Sequence, residues 1–342
     1  MAKKVMTMNV VQRLPIPNEP FRSNFVEISL NAAVISIDHD APCFLTVPWR
    51  DEAKNAVALP SGPFVPSEHH SLDVGLRSWV HDQTGVELGY LEQLYTFGDQ
   101  PGRNHSGGAD KPVVSLGYMA LTRARQDDAA TSRHWLGAYD FLPWEDWRDG
   151  KPESLADEIE PRLREGVAGG DKGGDAEHRG ERLERLRIAF GLDGAPWDEE
   201  RVLERYELLQ DAGLLQEPVM VAPGRKGSLS PAASTMSFAH RRILASALGR
   251  LRAKIKYRPV LFELMPVEFT LFELQRTVEA ILGSRLHKQN FRRLVESGGL
   301  VDATLDIRTH TGGRPAKLFR FRREVLLERP APGVRVRAGL AA

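Results

Sequence analysis

The sequence predicts an α+β protein with three parts: a mixed β-sheet, a helical middle segment, and a carboxy-terminal pair of helices followed by a β-hairpin. Three observations predict this fold class. Runs of β-branched and apolar residues fill the first third of the chain, the composition turns acidic and glycine-rich near Gly150, and two capped helical patterns precede a hairpin pattern near the end. A chain of 342 residues is expected to form about two or three domains. We place them at residues 1–150, 151–235 and 236–330, with a flexible tail at 331–342.

Five stretches of the amino-terminal part are rich in strand-forming residues. Residues 26–49 predict a hairpin at the edge of a mixed sheet, because two apolar, β-branched runs flank the short sequence HDA. A third strand is predicted at residues 55–60. Two more, around Leu91–Phe97 and Val113–Leu121, are joined by a glycine-containing loop that is long enough to line a pocket.

An amphipathic helix is predicted between Ser71 and Thr84. Ser71 is a suitable N-cap, and Leu72, Leu76 and Val80 form an apolar stripe at a spacing of four residues. This helix follows the predicted strands directly, so it is expected to cover one face of the sheet.

The middle segment reads as an acidic helical insert. Helical periodicity stands on both sides of GVAGGDKGGDAEHRGE, a stretch whose composition is typical of a flexible linker. Beyond the insert, residues 240–255 predict a further helix with a continuous apolar face and basic residues elsewhere on its surface.

The net charge of zero hides an asymmetry along the chain. Residues 241–330 contain 19 Lys and Arg against 9 Asp and Glu, a net charge of +10, so the remainder carries −10. A basic domain on an acidic chain indicates an anionic partner, with nucleic acid the first candidate, whereas a merely solvated basic face is the alternative.

The composition also limits the class of protein. An apolar share of 42% with a charged share of 27% is ordinary for a globular protein, and the sequence lacks a secretory signal pattern and an apolar run long enough for a bilayer. The single cysteine, Cys43, excludes an internal disulfide and a cysteine-based zinc cluster, and its strand-like context predicts a buried thiol. We therefore expect a cytoplasmic protein.

Two helices separated by a tight turn are predicted after residue 269. Thr270 and Glu273 form a capping box at the start of the first helix, and Gly283 ends it. The second helix is expected to bury Phe291, Leu294 and Val295. Its outer arc at helical spacing is basic and amide-rich, and contains Lys288, Gln289, Arg292 and Arg293. Such an arrangement is what helix-turn-helix recognition of a DNA major groove requires.

A hairpin pattern follows this helix pair and completes the outline of a winged helix. LVDATLDIR and AKLFRFRR read as two strands around the turn THTGGRP. Arg314 at the predicted tip, Lys317 beside it and the hydroxyl of Thr311 are candidates for contacts with phosphate or the minor groove.

Several stretches of the sequence resemble those of a known protein family. KIKYRPVLFELMPVEFTLFELQRTVEAILG, LHKQNFRRLVESGGLV and GGRPAKLFRF are similar to the winged helix of the Nudix-related transcriptional regulators, which repress NAD-biosynthesis genes. The amino-terminal part resembles the Nudix fold through LPSGPFV and YTFGDQPGR. The resemblance implies a mixed-sheet α/β/α sandwich, with a helical insert like that of the long family members, and a carboxy-terminal winged helix-turn-helix.

The resemblance also implies a function. A homodimer of such regulators binds a palindromic operator, and its Nudix domain senses a nucleotide such as ADP-ribose, with no cofactor required. Asn290, Arg292 and Arg293 fall in the recognition-helix motif and Arg314 in the wing motif, whereas further basic residues are expected to contact phosphates. The full set of expected DNA contacts is Lys254, Lys256, Lys288, Gln289, Asn290, Arg292, Arg293, Thr311, Arg314 and Lys317.

The helix from Ser71 resembles a Nudix catalytic helix that has lost its acids. A hydrolytic Nudix box, G-x5-E-x7-R-E-U-x-E-E-x-G-U, needs glutamates on one helical face to hold divalent cations. Anchored on Gly85, the loop glutamate, the arginine and the three helix glutamates correspond in order to His70, Ser78, Trp79, Asp82 and Gln83. Anchored on Arg77, a serine still stands where the next glutamate belongs. Either register predicts a domain without catalytic residues.

Several alternatives remain open at this point. Trp79 is expected either to plug the former metal site or to stack on a nucleobase, and a transition-metal site formed by His70, His81 and Asp82 is a further alternative. The expected nucleotide contacts are Arg50, Trp79, Asp99 and Arg103. The alternative function is a Mg²⁺-dependent ADP-ribose-type Nudix pyrophosphatase with an accessory domain, and a third is a nucleotide-binding protein that does not bind DNA.

Overall fold

The computed structural model describes residues 26–38, 40–49, 56–99, 113–123, 135–169, 176–215, 236–257, 260–309 and 315–322. The elements of the amino-terminal part are β1 (Glu27–Asp38), β2 (Ala41–Leu45), β3 (Val47–Pro48), β4 (Val57–Ala58), β5 (Ser61–Pro63), α1 (Leu72–Thr84), β6 (Tyr90–Asp99), β7 (Val113–Leu121), β8 (Trp135–Gly137) and α2 (Ala138–Phe141). Strands β3 and β4 form a separate two-stranded ribbon.

A mixed sheet with the strand order β6-β7-β1-β2-β8 forms the centre of this part. Strand β1 runs parallel to β7, and on its other side it pairs antiparallel with β2 and β5. The predicted hairpin of β1 and β2 is therefore present, but its position at the sheet edge is wrong, because β1 is the central strand. Its seven consecutive buried residues explain the difference, since a strand covered on both faces has no polar side.

Helices cover both faces of this sheet. Leu30, Ala32 and Val34 of β1 point to the face that packs against α1, whereas Ala33 and Ile35 belong to the core on the opposite face. Helix α1 begins at the N-cap Ser71 and ends before Gly85, as predicted, and it buries Gly75, Leu76 and Val80. Helix α1 therefore forms one of the two helical layers of an α/β/α sandwich.

The second helical layer is α6 (Phe238–Tyr257), which lies on β1, β6 and β7. A Cβ atom on Gly117 of β7 would stand 3.3 Å from the side chain of Ile243, so the helix approaches the sheet closely. The predicted boundary at residue 236 places this helix in the same domain as the winged helix. In the structure, its apolar face packs against the sheet of the amino-terminal part.

In its described residues, the insert contains three helices, α3 (Glu160–Gly169), α4 (Ala176–Phe190) and α5 (Val202–Asp211), and a π-helical turn at Ser154–Ile159 leads into α3. Helix α5 packs along α6. Tyr206 and Leu209 of α5 are fully buried, so the insert extends the core on this side of the sheet.

The carboxy-terminal part is a winged helix. It consists of β9 (Phe269–Thr270), α7 (Leu271–Leu282), α8 (Lys288–Gly298), β10 (Val301–Arg308) and β11 (Ala316–Phe321), and its small sheet has the order β10-β11-β9. The capping box of Thr270 and Glu273 is formed, and Gly283 ends α7 with a φ of 69°. The predicted α+β fold class is confirmed.

One apolar cluster runs through the sheet, the insert and the winged helix, so the three parts share a core in the described ranges. Cys43 is buried in this structure, and burial with the nearby charge of Asp38 raises the pKa of its thiol to about 11, as expected of an unreactive cysteine. Each helix that the structure describes is too short or too polar to cross a bilayer.

Candidate nucleic-acid interface and former metal site

Helix α8 presents one apolar and one polar face. Phe291 and Val295 are the buried residues of α8, and they belong to the same apolar cluster as the buried residues of α7. Leu294, which we had expected to face inward, is 36% exposed. Lys288, Gln289, Asn290, Arg292 and Arg293 are all exposed. We call the exposed surface that these five residues form the α8 face.

The turn before α8 is organised by the carboxylate of Glu279, which is 4% exposed. This carboxylate accepts hydrogen bonds from the backbone N–H of Leu286 at 3.0 Å, from Gln275 Nε2 at 2.8 Å and from Arg285 Nη1 at 3.2 Å. Gln275 also donates to the carbonyl of Leu286 at 2.9 Å. Sequence reasoning missed Glu279 and Gln275, although two polar residues four apart beside an apolar stripe are the signal that would have found them.

The wing is attached to α7 through an ion pair between Arg308 and Glu273. Strand β10 is irregular between Ala303 and Ile307, where its pairing with β11 shifts register. Lys317 is exposed on β11 opposite Ile307, so its position suits a phosphate contact. Thr311 and Arg314 lie outside the described residues, and their proposed roles stay predictions.

Lys254 and Lys256 differ from the other predicted contacts. Lys254 Nζ pairs with Glu92 of β6, and Lys256 Nζ lies 2.6 Å from carboxylate oxygens of both Glu199 and Glu200. Burial alone would lower the pKa of both ammonium groups, but these carboxylates raise it above its ordinary value. Both side chains are 17% exposed and paired with carboxylates of this chain, and their expected phosphate contacts stay predictions.

The resemblance to a Nudix box places Trp79 of α1 at the position of a metal-binding glutamate, and its indole packs against β5. A Cβ atom on Gly62 would lie 2.3 Å from the indole, so the ring lies flat against the backbone of β5 and only glycine fits beneath it. The indole Nε1 donates to the carbonyl of Pro63 at 3.0 Å, and the ring of His69 stands edge-on at 6.1 Å. Of the two readings of Trp79, this geometry favours the plug.

Gln83 completes the attachment of α1 to β5. Its Nε2 donates to the carbonyl of Ser61 at 2.7 Å, and its Oε1 accepts from the N–H of Ser61 at 3.1 Å. Magnesium requires several hard oxygen ligands in near-octahedral geometry. An indole and an amide that are committed to backbone groups do not fit that requirement, so the residues present do not suit a magnesium ion.

The remaining acids and histidines of this region are dispersed. Asp82 is exposed and accepts from the hydroxyl of Ser78 at 3.4 Å, whereas His70 and His81 are exposed. In the described part of the chain, no three histidine, cysteine, aspartate or glutamate side chains are close enough to hold a metal ion. His69 was missed by sequence reasoning; it is buried, and its Nδ1 accepts from the N–H of Val65 at 3.2 Å.

The other predicted nucleotide contacts are only partly described. Asp99 is the last residue of β6, where it pairs with Val113, and its side chain lies outside the described residues. Arg50 and Arg103 also lie outside them. Arg77, the anchor of the second register, donates to the carbonyls of Leu88 and Gly89 and so fastens α1 to the segment before β6.

Comparison with known proteins identifies the carboxy-terminal domain. Residues 261–321 match the model of the NrtR DNA-binding winged helix domain. The ADPR responsive transcriptional repressor NtrR of Acinetobacter baylyi is 43% identical over 86 residues, which are 25% of this chain and 34% of that protein. The chain thus matches about a third of the length of this curated relative. The winged helix predicted from the sequence is confirmed by the family match.

Two solved structures show similarity over most of the chain. The crystal structure of Shewanella oneidensis NrtR complexed with a 27mer DNA covers 87% of this chain and 94% of that one, with a TM-score of 0.49 and 18% identity. A MutT/nudix family protein from Enterococcus faecalis covers 91% and 90%, with a TM-score of 0.46 and 15% identity.

Proposed function

With an NrtR-type DNA-binding winged helix at residues 261–321 as the premise, we propose that this chain is a DNA-binding transcriptional repressor of NAD-metabolism genes. Its Nudix-like domain senses a nucleotide such as ADP-ribose and does not hydrolyse it. Two copies bind a palindromic operator, with half-sites about one helical turn, roughly 34–36 Å, or a multiple of this apart. The nucleotide changes the separation or the angle of the two winged helices.

The α8 face is the observation that carries this proposal. Its three cations, Lys288, Arg292 and Arg293, suit phosphate and guanine contacts, and its two amides, Gln289 and Asn290, suit adenine. All five side chains are exposed on a helix that is held in place by two buried residues, Phe291 and Val295. Each good bidentate base contact contributes about 1–3 kcal/mol of discrimination.

Two observations support a sensing role without hydrolysis. The curated relative is named as an ADPR responsive repressor, which suggests the nucleotide class. In this chain, Trp79 and Gln83 bind backbone groups of β5 where a hydrolase needs carboxylates for its metal ions. A nucleotide would then bind through loop residues such as Arg50, Asp99 and Arg103 without bridging metal.

The test of DNA binding removes two charges from the α8 face. We expect the Arg292→Ala/Arg293→Ala variant to lose at least about tenfold in affinity for an operator duplex that the wild-type chain selects from a random-sequence pool. The slope of log Kd against log salt should fall by about 1.8, because two phosphate-linked cations are lost. A matched control, Arg162→Ala/Arg182→Ala, removes two exposed arginines of the insert and should leave this slope unchanged. Equal slopes in both variants would refute DNA binding by α8.

The sensing half is tested by calorimetric titration with ADP-ribose in the presence of a chelator. Binding without added metal is the expected result, together with no release of AMP when Mg²⁺ is supplied. Mg²⁺-dependent AMP release that disappears in Asp82→Asn would establish the pyrophosphatase alternative instead.

A further inference from the structure

A buried charge cluster joins three parts of the molecule. Glu145, Arg205 and Arg252 have fully buried side chains. Arg205 donates from Nε and Nη2 to the two carboxylate oxygens of Glu145 at 2.6 and 2.8 Å, and Arg252 Nη1 donates to Oε2 at 2.6 Å. Glu145 follows the sheet domain, Arg205 lies on α5 of the insert and Arg252 on α6.

Arg252 and its neighbours also hold the end of α7. The last carbonyls of a helix have no partner within the helix. Here Arg252 Nε donates to the carbonyl of Ile281 at 2.8 Å, and the hydroxyl of Tyr139 donates to that of Ala280 at 2.5 Å. The N–H of Trp147 donates to the carbonyl of Gly283 at 2.6 Å. The helix-turn-helix is therefore fastened to the rest of the chain at the start of the turn that leads to α8.

The charges around Glu145 are compensated by carbonyl groups at helix ends. Two guanidinium groups face one carboxylate, and the carboxy-terminal carbonyls of α7 supply part of the missing negative charge. Arg205 makes the same use of α4, since its Nη1 donates to the carbonyl of Ala189 at 2.9 Å. Burial alone would raise the pKa of Glu145, but the charges of Arg205 and Arg252 outweigh it and hold the pKa below its ordinary value.

The opposite end of α6 contacts the loop on which Trp79 packs. His240 Nδ1 accepts from the N–H of Leu59 at 3.2 Å, and Leu59 lies three residues before Gly62, on which Trp79 packs. His240 and Arg252 are separated by twelve residues on one continuous helix, a distance of about 18 Å. A single rigid element thus contacts both the loop beside α1 and the end of α7.

We propose that α6 couples the nucleotide site to operator binding, and that Arg252 is the positioning residue through which α6 sets the pose of α7 and α8. This inference rests on the proposed function and adds to it the route of regulation. A displacement of the Leu59–Pro63 loop by a bound nucleotide moves α6 at His240, and Arg252 carries the movement to the carbonyl of Ile281.

The test compares two methionine variants of the full chain. Arg252→Met and Arg205→Met each leave one arginine paired with Glu145, but only Arg252→Met removes a side-chain hydrogen bond to α7, the one from Nε to the carbonyl of Ile281. The measurement is the ratio of the apparent Kd for the selected operator duplex with and without saturating ADP-ribose. A loss of active protein scales both Kd values equally and leaves this ratio unchanged, so a merely structural defect does not move it.

In the wild type we expect a ratio in the range of about 5–150, as is usual for coupled sites. The ratio for Arg205→Met should lie within about twofold of the wild-type ratio. The ratio for Arg252→Met should be below about 2, which means that ADP-ribose hardly changes its affinity for the duplex. Equal ratios in the two variants would overturn the assignment to Arg252. Should Arg252→Met fail to fold, Arg252→Lys replaces it, because a lysine keeps the charge beside Glu145 but lacks the Nε donor to Ile281.

A second measurement separates this inference from the proposed function. Without any ligand, we expect the amides of Gly283 and Leu286 to exchange hydrogen at least about tenfold faster in Arg252→Met than in Arg205→Met. Equal exchange rates would overturn the positioning role whatever the chain binds. If the wild type binds the duplex but does not respond to ADP-ribose, the coupling and the sensing half of the proposed function both fail, and DNA binding stands.

Discussion

Helices α1 and α8 are built alike but use their polar faces in opposite ways. Both are short, both bury two or three apolar residues, and both end at a glycine with positive φ. On α1, Trp79, Gln83 and Arg77 all bond to backbone carbonyls of neighbouring segments. On α8, the side chains from Lys288 to Arg293 that point outward make no hydrogen bond or ion pair with the described residues. A polar face that is satisfied within the chain serves the fold, whereas an unsatisfied one is available to a partner.

The largest expected effect is on base discrimination by α8. Gln289→Ala/Asn290→Ala should weaken discrimination between the selected operator and a scrambled duplex by about 1–3 kcal/mol for each amide that contacts a base. The salt slope should not change, because no charge is lost. The free energy of unfolding should stay within about 0.5 kcal/mol of wild type. Ser297→Ala, at the far end of the same helix, is the control. If both variants prefer the selected operator over the scrambled duplex to the same degree, the exposed amides of α8 do not read the bases.

His240 of α6, which contacts the loop beside α1, should make the stability of the protein depend on pH. Burial lowers the pKa of this histidine from 6.5 to about 4, so the folded chain keeps it neutral where the unfolded chain is protonated. Stability is therefore full above pH 6.5 and declines as the pH falls to about 4, by about 3 kcal/mol in total. Urea unfolding at a series of pH values measures this decline. His240→Asn keeps an acceptor for the N–H of Leu59 and should remove this part of the dependence; an unchanged profile would contradict the assignment.

A methyl group beneath Trp79 should also be costly. Gly62→Ala places a Cβ atom against the indole, and the overpacking is expected to lower the free energy of unfolding by about 1–3 kcal/mol. Gly98→Ala is the matched control, since a Cβ atom there meets nothing within 4 Å. The combination with Trp79→Ala should cost less than the sum of the two single changes. Strict additivity in chemical denaturation would mean that the ring does not lie on Gly62.

The smallest effect compares the same substitution on the two helices. Gln83→Ala removes two hydrogen bonds to Ser61 from an exposed position, and we expect it to lower the free energy of unfolding by about 1 kcal/mol. Gln289→Ala on α8 should stay within about 0.5 kcal/mol. Both free energies of unfolding are measured in parallel denaturant titrations. Equal losses in the two variants would mean that the polar side chains of α1 stabilise the fold no more than those of α8.

The features that sequence reasoning predicted are local ones. Ser71 and Thr270 were recognised as N-caps, and Gly85 and Gly283 as helix ends, because a cap depends on residues within one turn. The winged helix was predicted for the same reason, because its helix, turn, helix and hairpin follow one another directly in the sequence.

The features that it missed depend on residues far apart in the chain. Arg252 and Glu145 are 107 residues apart, and His240 and Leu59 are 181 residues apart. Periodicity describes which face of a helix is buried but not what it is buried against, so α6 was predicted as a helix but its packing on the sheet was not. An arginine on an apolar helical face was the one sign that α6 approaches a buried acid.

Gly283 carries a consequence for how this chain can evolve. A Cβ atom at this position would lie 2.2 Å from the carbonyl oxygen of Glu145, and the φ of 69° already disfavours other residues. An alanine here would therefore do more than strain a turn, because it would push the whole α7–α8 unit away from the body of the protein. The orientation of α7 and α8 relative to the rest of the protein thus depends on a position that has no side chain, at residue 283, which lies outside the α8 face.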